Sequence, residues 1–387
     1  MSFEVHAIAS IEAVPAILWN SLIDADQPFM RHEFLHALEA SGAVTSATGW
    51  TPAHLTVWQG EALVAVMPRY YKTHSRGEYV FDWAWADAWE RAGGDYYPKA
   101  LTAIPYTPAP GTRIAINRDS AEPATIFAAL ADHCCNGDLS SWHLLFAEDA
   151  EVDAWKDAMP ELLERHAIQF QWRDQEFGDF DGFLASMSSK RRKEIRRERR
   201  RVAEQGITLS RLTGEAIDPA ALAHFYRCYQ MTYLERGQRP YLPFDFFQRL
   251  RRTLPEALVL IQARVEGQAI AAALCLQGDK TLYGRYWGSE VEADCLHFET
   301  CYYQGIEHCL VNGMMLFDPG TQGEHKLSRG FAPRRLRSLH YIADLDFRRA
   351  VSRFCEQERV HIDAYERQAL TRLPFRHEVG ASWRGAS

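Results

Sequence analysis

The sequence predicts an α/β (α+β) protein of two similar modules with mixed, largely antiparallel sheets. Three observations predict this. The chain has 387 residues, more than one average hydrophobic core accommodates. Strand-turn-strand patterns occur in both halves, at 54–67 and again at 258–286, and each is followed by a helix and a further strand. Neither G-x-G-x-x-G nor G-x-x-x-x-G-K-[ST] is present, which sets aside dinucleotide and P-loop architectures.

Composition narrows the classes further. Hydrophobic residues make up 47% and charged residues 24%, ordinary for a globular protein. A net charge of −8 repels polyanions, so no stable DNA binding is expected. Eight cysteines without a C-x-x-C pair read as reduced thiols. The start of the chain has no signal-peptide pattern and no apolar run reaches the roughly eighteen residues of a membrane span, so the expected location is cytoplasmic.

In the first domain, residues 1–175, a strand near Phe3–Ile8 precedes helices at Val14–Ile23 and Phe29–Ala40. The second helix contains His32-Glu33-Phe34-Leu35-His36, an H-E-x-x-H match in which two imidazoles one turn apart can hold zinc. With fifteen histidines in the chain and no evident third ligand, the match reads as a surface helix, and no metal site is predicted. His54–Trp58 and Ala62–Met67 form a hairpin around Gly60. An aromatic and proline-rich stretch follows, read as loops. Its Tyr97, Lys99, Tyr106 and Arg113 are candidate substrate-binding residues, because rings and prolines build rigid pockets and cations bind carboxylates or phosphates there. Helices at Ala121–His133 and Asp153–Arg165, with strands at Trp142–Phe146 and Ile168–Trp172, complete the unit.

Gly178–Gly182 reads as the linker into the second domain, 176–375, and 376–387 as a tail. The block 188–206 is far more basic than its surroundings, lacks internal Gly and Pro, and ends at Gly206, so it reads as a helix. Its Lys190, Arg191 and Arg192 are candidate phosphate contacts. A strand at Ile207–Leu209, helices at Pro219–Leu234 and Phe244–Leu254, and three antiparallel strands at Leu258–Val265, Ala269–Leu276 and Thr281–Tyr286 follow. A helix at Phe298–Leu310 then leads to a buried strand at Met314–Phe317.

The densest polar segment comes directly after that strand, from Asp318 to Pro333. Acyl transfer to an amine needs a group that takes the amine proton and one that stabilises a tetrahedral oxyanion. His325 or Glu324 answers the first need and Lys326 the second; Asp318 completes the catalytic candidates, and Arg329 is a candidate substrate-binding residue. The alternative is a loop whose Asp318 and Glu324 pair with Lys326 and Arg329. Ser338 with His340, and Cys295, His297, Glu299 and Cys301, are weaker candidates for a triad, a thiol nucleophile or a metal site.

The chain resembles the FemAB-like acyltransferases, a branch of the GNAT superfamily. The resemblance rests on segments spread along most of the chain: Thr48-Gly49-Trp50-Thr51-Pro52, Tyr96-Tyr97-Pro98-Lys99, Lys190-Arg191-Arg192-Lys193-Glu194-Ile195, His297-Phe298-Glu299 with Cys301-Tyr302-Tyr303, and Pro319-Gly320-Thr321-Gln322-Gly323-Glu324-His325-Lys326. It implies two tandem GNAT-like acyltransferase domains and no tightly bound cofactor. The implied partners are an acyl donor, aminoacyl-tRNA or acyl-CoA, and an amine acceptor such as a peptidoglycan precursor. Peptidoglycan-bridge members carry a Phe-Lys-x-Gly-Phe element similar to Lys326 with Gly330-Phe331, but here the spacing is longer and His325 stands in the place of the first Phe. The R-x-x-G-x-G/A pyrophosphate motif of acetyl-CoA-dependent relatives is absent. Two alternatives stand beside the transferase: a non-catalytic protein that binds peptidoglycan precursors, and an acyl-CoA-dependent N-acetyltransferase of a small amine.

Overall fold

The computed structural model describes residues 3–119, 122–135, 139–321 and 323–376. All but the first residue of the tail expected at 376–387, and the start of the helix expected at Ala121, lie outside them. The chain forms two compact units, residues 1–167 with 335–363 and residues 168–334 with 364–387. The sequence reading divided the chain near 175 and left 335–363 in the second half. The division instead falls inside two long strands, and 335–363 packs in the first unit.

Along the first unit run β1 (Glu4–Ile8), β2 (Trp50–Pro52), β3 (His54–Gln59), β4 (Ala62–Met67), β5 (Tyr70–Lys72), β6 (Lys99–Thr102), β7 (Ala115–Ile116) and β8 (Ser141–Leu144). One sheet has the order β1-β3-β4-β7, antiparallel throughout. In it the predicted hairpin turns at Gly60, whose φ is 61°. In the other, β8 pairs parallel with β6, and β6, β5 and β2 are antiparallel neighbours. The aromatic stretch read as loops contains a helix, Trp83–Arg91, whose Trp85 packs with Tyr96, Val351 and Cys355. The helix expected at 153–165 lies at Asp149–Ala158, because its acidic first turn suits the positive end of the helix and β-branched and aromatic residues resume soon after. Those residues form β9 (Leu163–Arg173), an 11-residue strand.

The expected linker is not a loop. Asp179 accepts the Gly182 N–H at 2.7 Å and caps a helix, Phe180–Ser186. The basic helix follows at Ser189–Glu204, burying only Ile195, Glu198 and Val202. Then come β10 (Ile207–Thr213) and a helix at Pro219–Leu234, capped by Asp218, which accepts the Ala221 N–H. Next are a helix at Phe244–Thr253 and the strands β11 (Leu258–Val265), β12 (Gln268–Gln277) and β13 (Thr281–Ser289). The four strands β10 to β13 are antiparallel in sequence order. The chain then crosses back through the helical segment 296–312 and adds β14 (Leu316–Asp318) parallel to β13, as a parallel pairing requires. β14 pairs in turn with the end of β9 through Phe317 and Trp172. This sheet buries Phe170, Trp172, Phe183, Ile261, Tyr303, Phe317 and Phe331 in one cluster. β15 (Ala332–Ile342) and a helix at Leu345–Thr371 close the chain; β15 pairs with β8 in the first unit. Among the described residues no helix is long and apolar enough to cross a membrane.

One contact sets the spacing of the second unit's helix and sheet. A Cβ on Gly288 of β13 would sit 1.8 Å from the backbone oxygen of Cys228, on the helix 219–234. Only glycine admits that approach. Gly288→Ala should therefore cost about 1–3 kcal/mol in urea unfolding, with the m-value unchanged. A neutral result would mean that helix and sheet can move apart freely.

Candidate active site

The second unit builds its polar centre on the turn after β14. The helical segment that leads into the turn's neighbourhood is irregular: residues Glu299–Tyr303 form a π-helical turn between α-helical segments. Such turns are costly and recur at functional sites. Both tyrosines of this turn reach the loop. Tyr302 Oη shares a 2.8 Å hydrogen bond with His325 Nε2, and Tyr303 Oη accepts from Arg329 Nε at 3.0 Å. The rings of His297, Phe298 and Tyr302 surround His325, with centroids 6.2, 5.7 and 5.7 Å away.

His325 itself is exposed, on a 3-10 turn of residues Glu324–Arg329. Partial burial lowers its pKa, and the nearby Arg329 and Lys326 lower it further, so the imidazole is held in its neutral, proton-accepting form. Gly323 makes room for the ring: its φ is 106°, and a Cβ there would lie 2.3 Å from His325 Cε1.

Lys326 points the other way. It is 1% exposed, and Nζ donates to the carbonyls of Gly320 at 2.6 Å, Thr321 at 3.2 Å and Pro319 at 3.4 Å. An ammonium has three N–H donors, and three carbonyls face it. Burial without a directly paired carboxylate lowers its pKa to about 8, and Asp318 offsets this only in part. Asp318 is buried, and its carboxylate accepts the Gly320 N–H at 2.8 Å. Burial raises its pKa. Glu324 is exposed, accepts from Tyr365 Oη at 3.2 Å and pairs with Arg372 at 3.1 Å. The loop's acids therefore make their direct contacts with other partners than Lys326 and Arg329, and Asp318 acts on Lys326 only through its charge.

Arg329 is the loop's anchor. It is 7% exposed, pairs with Glu198 of the basic helix at 2.6 Å, and lies 3.4 Å from the centroid of the Phe298 ring. Tyr303 Oη also donates to Glu198, which ties turn, loop and helix together. Sequence reasoning missed Glu198, Phe298, Tyr302 and Tyr303 as partners. The acidic residue inside a basic run was the available signal for Glu198.

Much of the basic helix is already neutralised. Arg191 pairs with Glu194, Arg196 with Asp181, Arg199 with Glu299 and Glu307, and Arg200 with Glu204. Lys190 is exposed and Arg192 half-buried. Three consecutive cations in the first turn oppose the helix dipole, an arrangement that an anion at this end relieves.

In the first unit, Lys99 and Arg113 lie inside the protein and not on a pocket wall. Lys99 is fully buried and donates to Asp82 at 2.6 Å, Glu78 at 2.7 Å and Ser75 at 2.9 Å. Burial alone would lower its pKa, but the two carboxylates reverse that and raise it. Arg113 spends its guanidinium on the carbonyls of Ala109, Leu145 and Thr112. Tyr97 Oη meets Ser75 Oγ at 2.8 Å, and Tyr106 Oη donates to the Ala43 carbonyl at 3.0 Å. Lys99, Tyr106 and Arg113 are buried, and Tyr97 is half-buried.

The weaker candidates also resolve. His32 Nε2 lies 3.2 Å from the Ile11 carbonyl and His36 Nε2 2.8 Å from Glu12, so the H-E-x-x-H imidazoles face separate partners. Among the described residues, the one His, Cys and acid trio within metal-ligand reach is His224, Cys228 and Glu290, and there Glu290 pairs with Arg227 at 3.2 Å. Burial raises the pKa of Cys301 and Cys295, which disfavours a thiolate. Ser338 meets His340 Nε2 at 2.9 Å, but His340 is buried and its other nitrogen lies 2.6 Å from His143.

A family model described as FemAB-like, peptidoglycan biosynthesis/recognition, matches residues 10–377. No curated protein sequence matches the chain. The chain is similar to the crystal structure of the C-terminal domain of a protein provisionally assigned as a lysylphosphatidylglycerol synthetase from Agrobacterium fabrum. Identity is 9%, coverage is 90% of this chain and 95% of that one, and the TM-score is 0.53, which shows a shared fold. FemX aligns at 11% identity over 81% of this chain and 93% of its own, with a TM-score of 0.49. A tandem GNAT protein from the clavulanic acid biosynthesis pathway aligns at 11% identity over 89% and 99%, with a TM-score of 0.45.

The anchor gives a graded prediction. Arg329→Met leaves Glu198 buried without its cation and should lower stability by about 3–5 kcal/mol. Tyr303→Phe removes one hydrogen-bonded hydroxyl and should cost about 1–2 kcal/mol. Chemical denaturation of both variants checks the order; equal, small losses would show that the knot is incidental.

Proposed function

Because this chain belongs to the FemAB-like family of peptidoglycan biosynthesis and recognition proteins, we propose that it transfers an acyl or aminoacyl group to an amine. The proposed donors are aminoacyl-tRNA and acyl-CoA, and the proposed acceptor class is the amine of a peptidoglycan precursor. The two units are read as tandem GNAT-like domains, with the reaction at the turn after β14.

The observation that carries this reading is the exposed His325, held neutral and hydrogen-bonded to Tyr302, on a turn whose backbone Lys326 ties down. An amine attacking a carbonyl must lose a proton, and a neutral imidazole in solvent reach is the group suited to accept it. Tyr302 fixes the ring's orientation. Lys326, with its donors on three loop carbonyls, is a positioning residue that holds the backbone from which His325 projects. Glu324 and Asp318 shape the same turn. Lys190, Arg191 and Arg192 supply the contact for a donor or precursor phosphate, and Arg329 braces the turn against their helix.

A second reading has one observation in its favour: the Lys326 ammonium is occupied by the protein's own carbonyls. In that reading the chain binds a precursor without turning it over. Incubation of the purified protein with charged tRNA or acyl-CoA and precursor amines decides between them. Mass spectrometry should find an acylated amine. Precursor binding by calorimetry with no acyl product from any donor would favour recognition.

Activity should follow a bell. Above the lowered pKa of His325 the base is neutral and the rate rises; above about 8 the Lys326 ammonium is lost, its hold on the loop weakens, and the rate falls. His325→Ala should lower turnover by about 10²–10⁴-fold. Lys326→Met should lower it by about 10²-fold through misplacement and remove the alkaline limb. Retention of that limb in Lys326→Met would assign it to another group. Arg191→Glu with Arg192→Glu should weaken donor binding and flatten its dependence on salt; unchanged binding would leave the helix a structural strut.

A further inference from the structure

The second unit contains a cleft that shares no lining residue with the His325 turn. It has a volume of ≈390 Å³, within the range of small-molecule sites, and His224 and Glu290 both line it. The close contact at Gly288 brings these two together. That glycine admits the helix 219–234 at Cys228, and Glu290 follows two residues later, directly after β13. His224 and Cys228 stand one turn apart on the helix, so they share a face of it.

Cys228 Sγ lies 3.5 Å from His224 Nε2, and Glu290 Oε2 lies 3.9 Å from the same nitrogen. All three ligand atoms fall within 4.8 Å of one another. A tetrahedral zinc ion, about 2.3 Å from sulfur and about 2.0 Å from nitrogen, holds those two atoms about 3.5 Å apart. The buried pair is therefore already at coordination spacing, and the exposed Glu290 has about half an ångström to close toward the nitrogen. The arginines of the cleft are engaged beside these atoms. Arg227 Nε donates to the other Glu290 oxygen, Oε1, at 3.2 Å, while Arg264 donates to Gln262 Oε1 at 2.7 Å and to the Gly267 carbonyl at 2.9 Å. Gln262 Nε2 stands 3.3 Å from Nδ1, the ring's other nitrogen, and the Ala269 carbonyl accepts from the imidazole. A backbone carbonyl in that place orients a metal-binding histidine.

We propose that His224 Nε2, Cys228 Sγ and Glu290 Oε2 form a zinc site whose fourth position opens into the cleft. Imidazole, thiolate and one carboxylate suit zinc, whereas magnesium and calcium take all-oxygen sets. The thiolate and the carboxylate together balance the charge of the dication. Burial raises the Cys228 pKa to about 12, so the metal-free chain carries the thiol. Coordination exchanges the S–H bond for a sulfur–zinc bond, and the proton leaves to solvent. Three protein ligands with one open position is the arrangement in which zinc takes up water or an anionic ligand atom. The ion would also tie the helix 219–234 to the end of β13. None of these residues belongs to the His325 turn, so the inference is independent of transfer there.

The full chain, stripped with a chelator and dialysed against zinc alone, tests this. It should retain one zinc per chain by metal analysis, and zinc but not magnesium should raise its thermal unfolding temperature. Cobalt in place of zinc should give a near-ultraviolet thiolate-to-cobalt charge-transfer band. Cys228→Ser should abolish that band. Glu290→Gln should weaken zinc binding at least about tenfold, the scale of losing even an outer partner. His36→Ala should leave zinc binding unchanged, which separates this site from the H-E-x-x-H helix. No zinc retained by the wild type, a band that survives Cys228→Ser, zinc affinity unchanged in Glu290→Gln, or zinc lost in His36→Ala would overturn the proposal. The Glu290→Gln comparison decides the matter even if Cys228→Ser does not fold, because Glu290 is exposed.

Discussion

A single buried cation organises the second unit's polar centre. Arg329 reaches a carboxylate on the basic helix, a phenol on the π-helical turn and an aromatic face at Phe298 from a position inside the loop itself. Its planar fork makes these contacts at once, which a lysine's point charge does not. Remove it and three elements lose their common reference: the helix keeps a buried acid, the turn keeps a buried hydroxyl, and the loop is left with the Lys326 contacts, the Tyr302–His325 bond and the pairs of Glu324. The apolar cluster of Phe183, Tyr303, Phe317 and Phe331 packs beneath, but apolar packing alone does not fix the direction in which an exposed histidine projects.

Two buried lysines show why similar sequence contexts differ chemically. Lys99 is surrounded by two carboxylates, so its charge is locked and its pKa raised. Lys326 donates to carbonyl dipoles and has only the more distant Asp318 as a counter-charge, so the same burial lowers its pKa to about 8. A charge compensated by charge is a rivet; a charge compensated by carbonyls remains close to giving up its proton. Lys72, buried over the Trp50 ring at 3.6 Å and lowered to about 7, belongs with the second kind, but it faces the interior of the first unit.

The sequence made the regular elements legible wherever periodicity was strong and caps were explicit. The hairpin around Gly60, the helix capped by Asp218 and the three strands from Leu258 to Ser289 follow from turn chemistry and alternation. Failures arose where tertiary packing outweighed local pattern. Aromatic residues at 83–91 disguised a helix, because Trp85 turns inward while Trp83 faces solvent. Gly178 and Gly182 suggested a linker, yet Gly182 leaves room for the Phe177 carbonyl, 2.0 Å from where its Cβ would stand. The long strand β15 and the final helix were not read at all.

Charge was the least legible property, since a run of arginines does not disclose its partners. Glu299 and Glu307, about a hundred residues away, take up Arg199, and Asp181 takes up Arg196. Exposed cations nevertheless run along the helix, with Lys190 in the first turn and Lys193 and Arg197 beyond it, and those of the first turn work against the dipole. Internal pairing thus thins the charge without removing it: a helix with every arginine free would attract any polyanion along its length, whereas here ion pairs are interspersed with exposed cations and only those of the first turn are opposed by the dipole. On the proposed reading it is these first-turn cations, and not the total number of arginines, that a substrate phosphate would relieve.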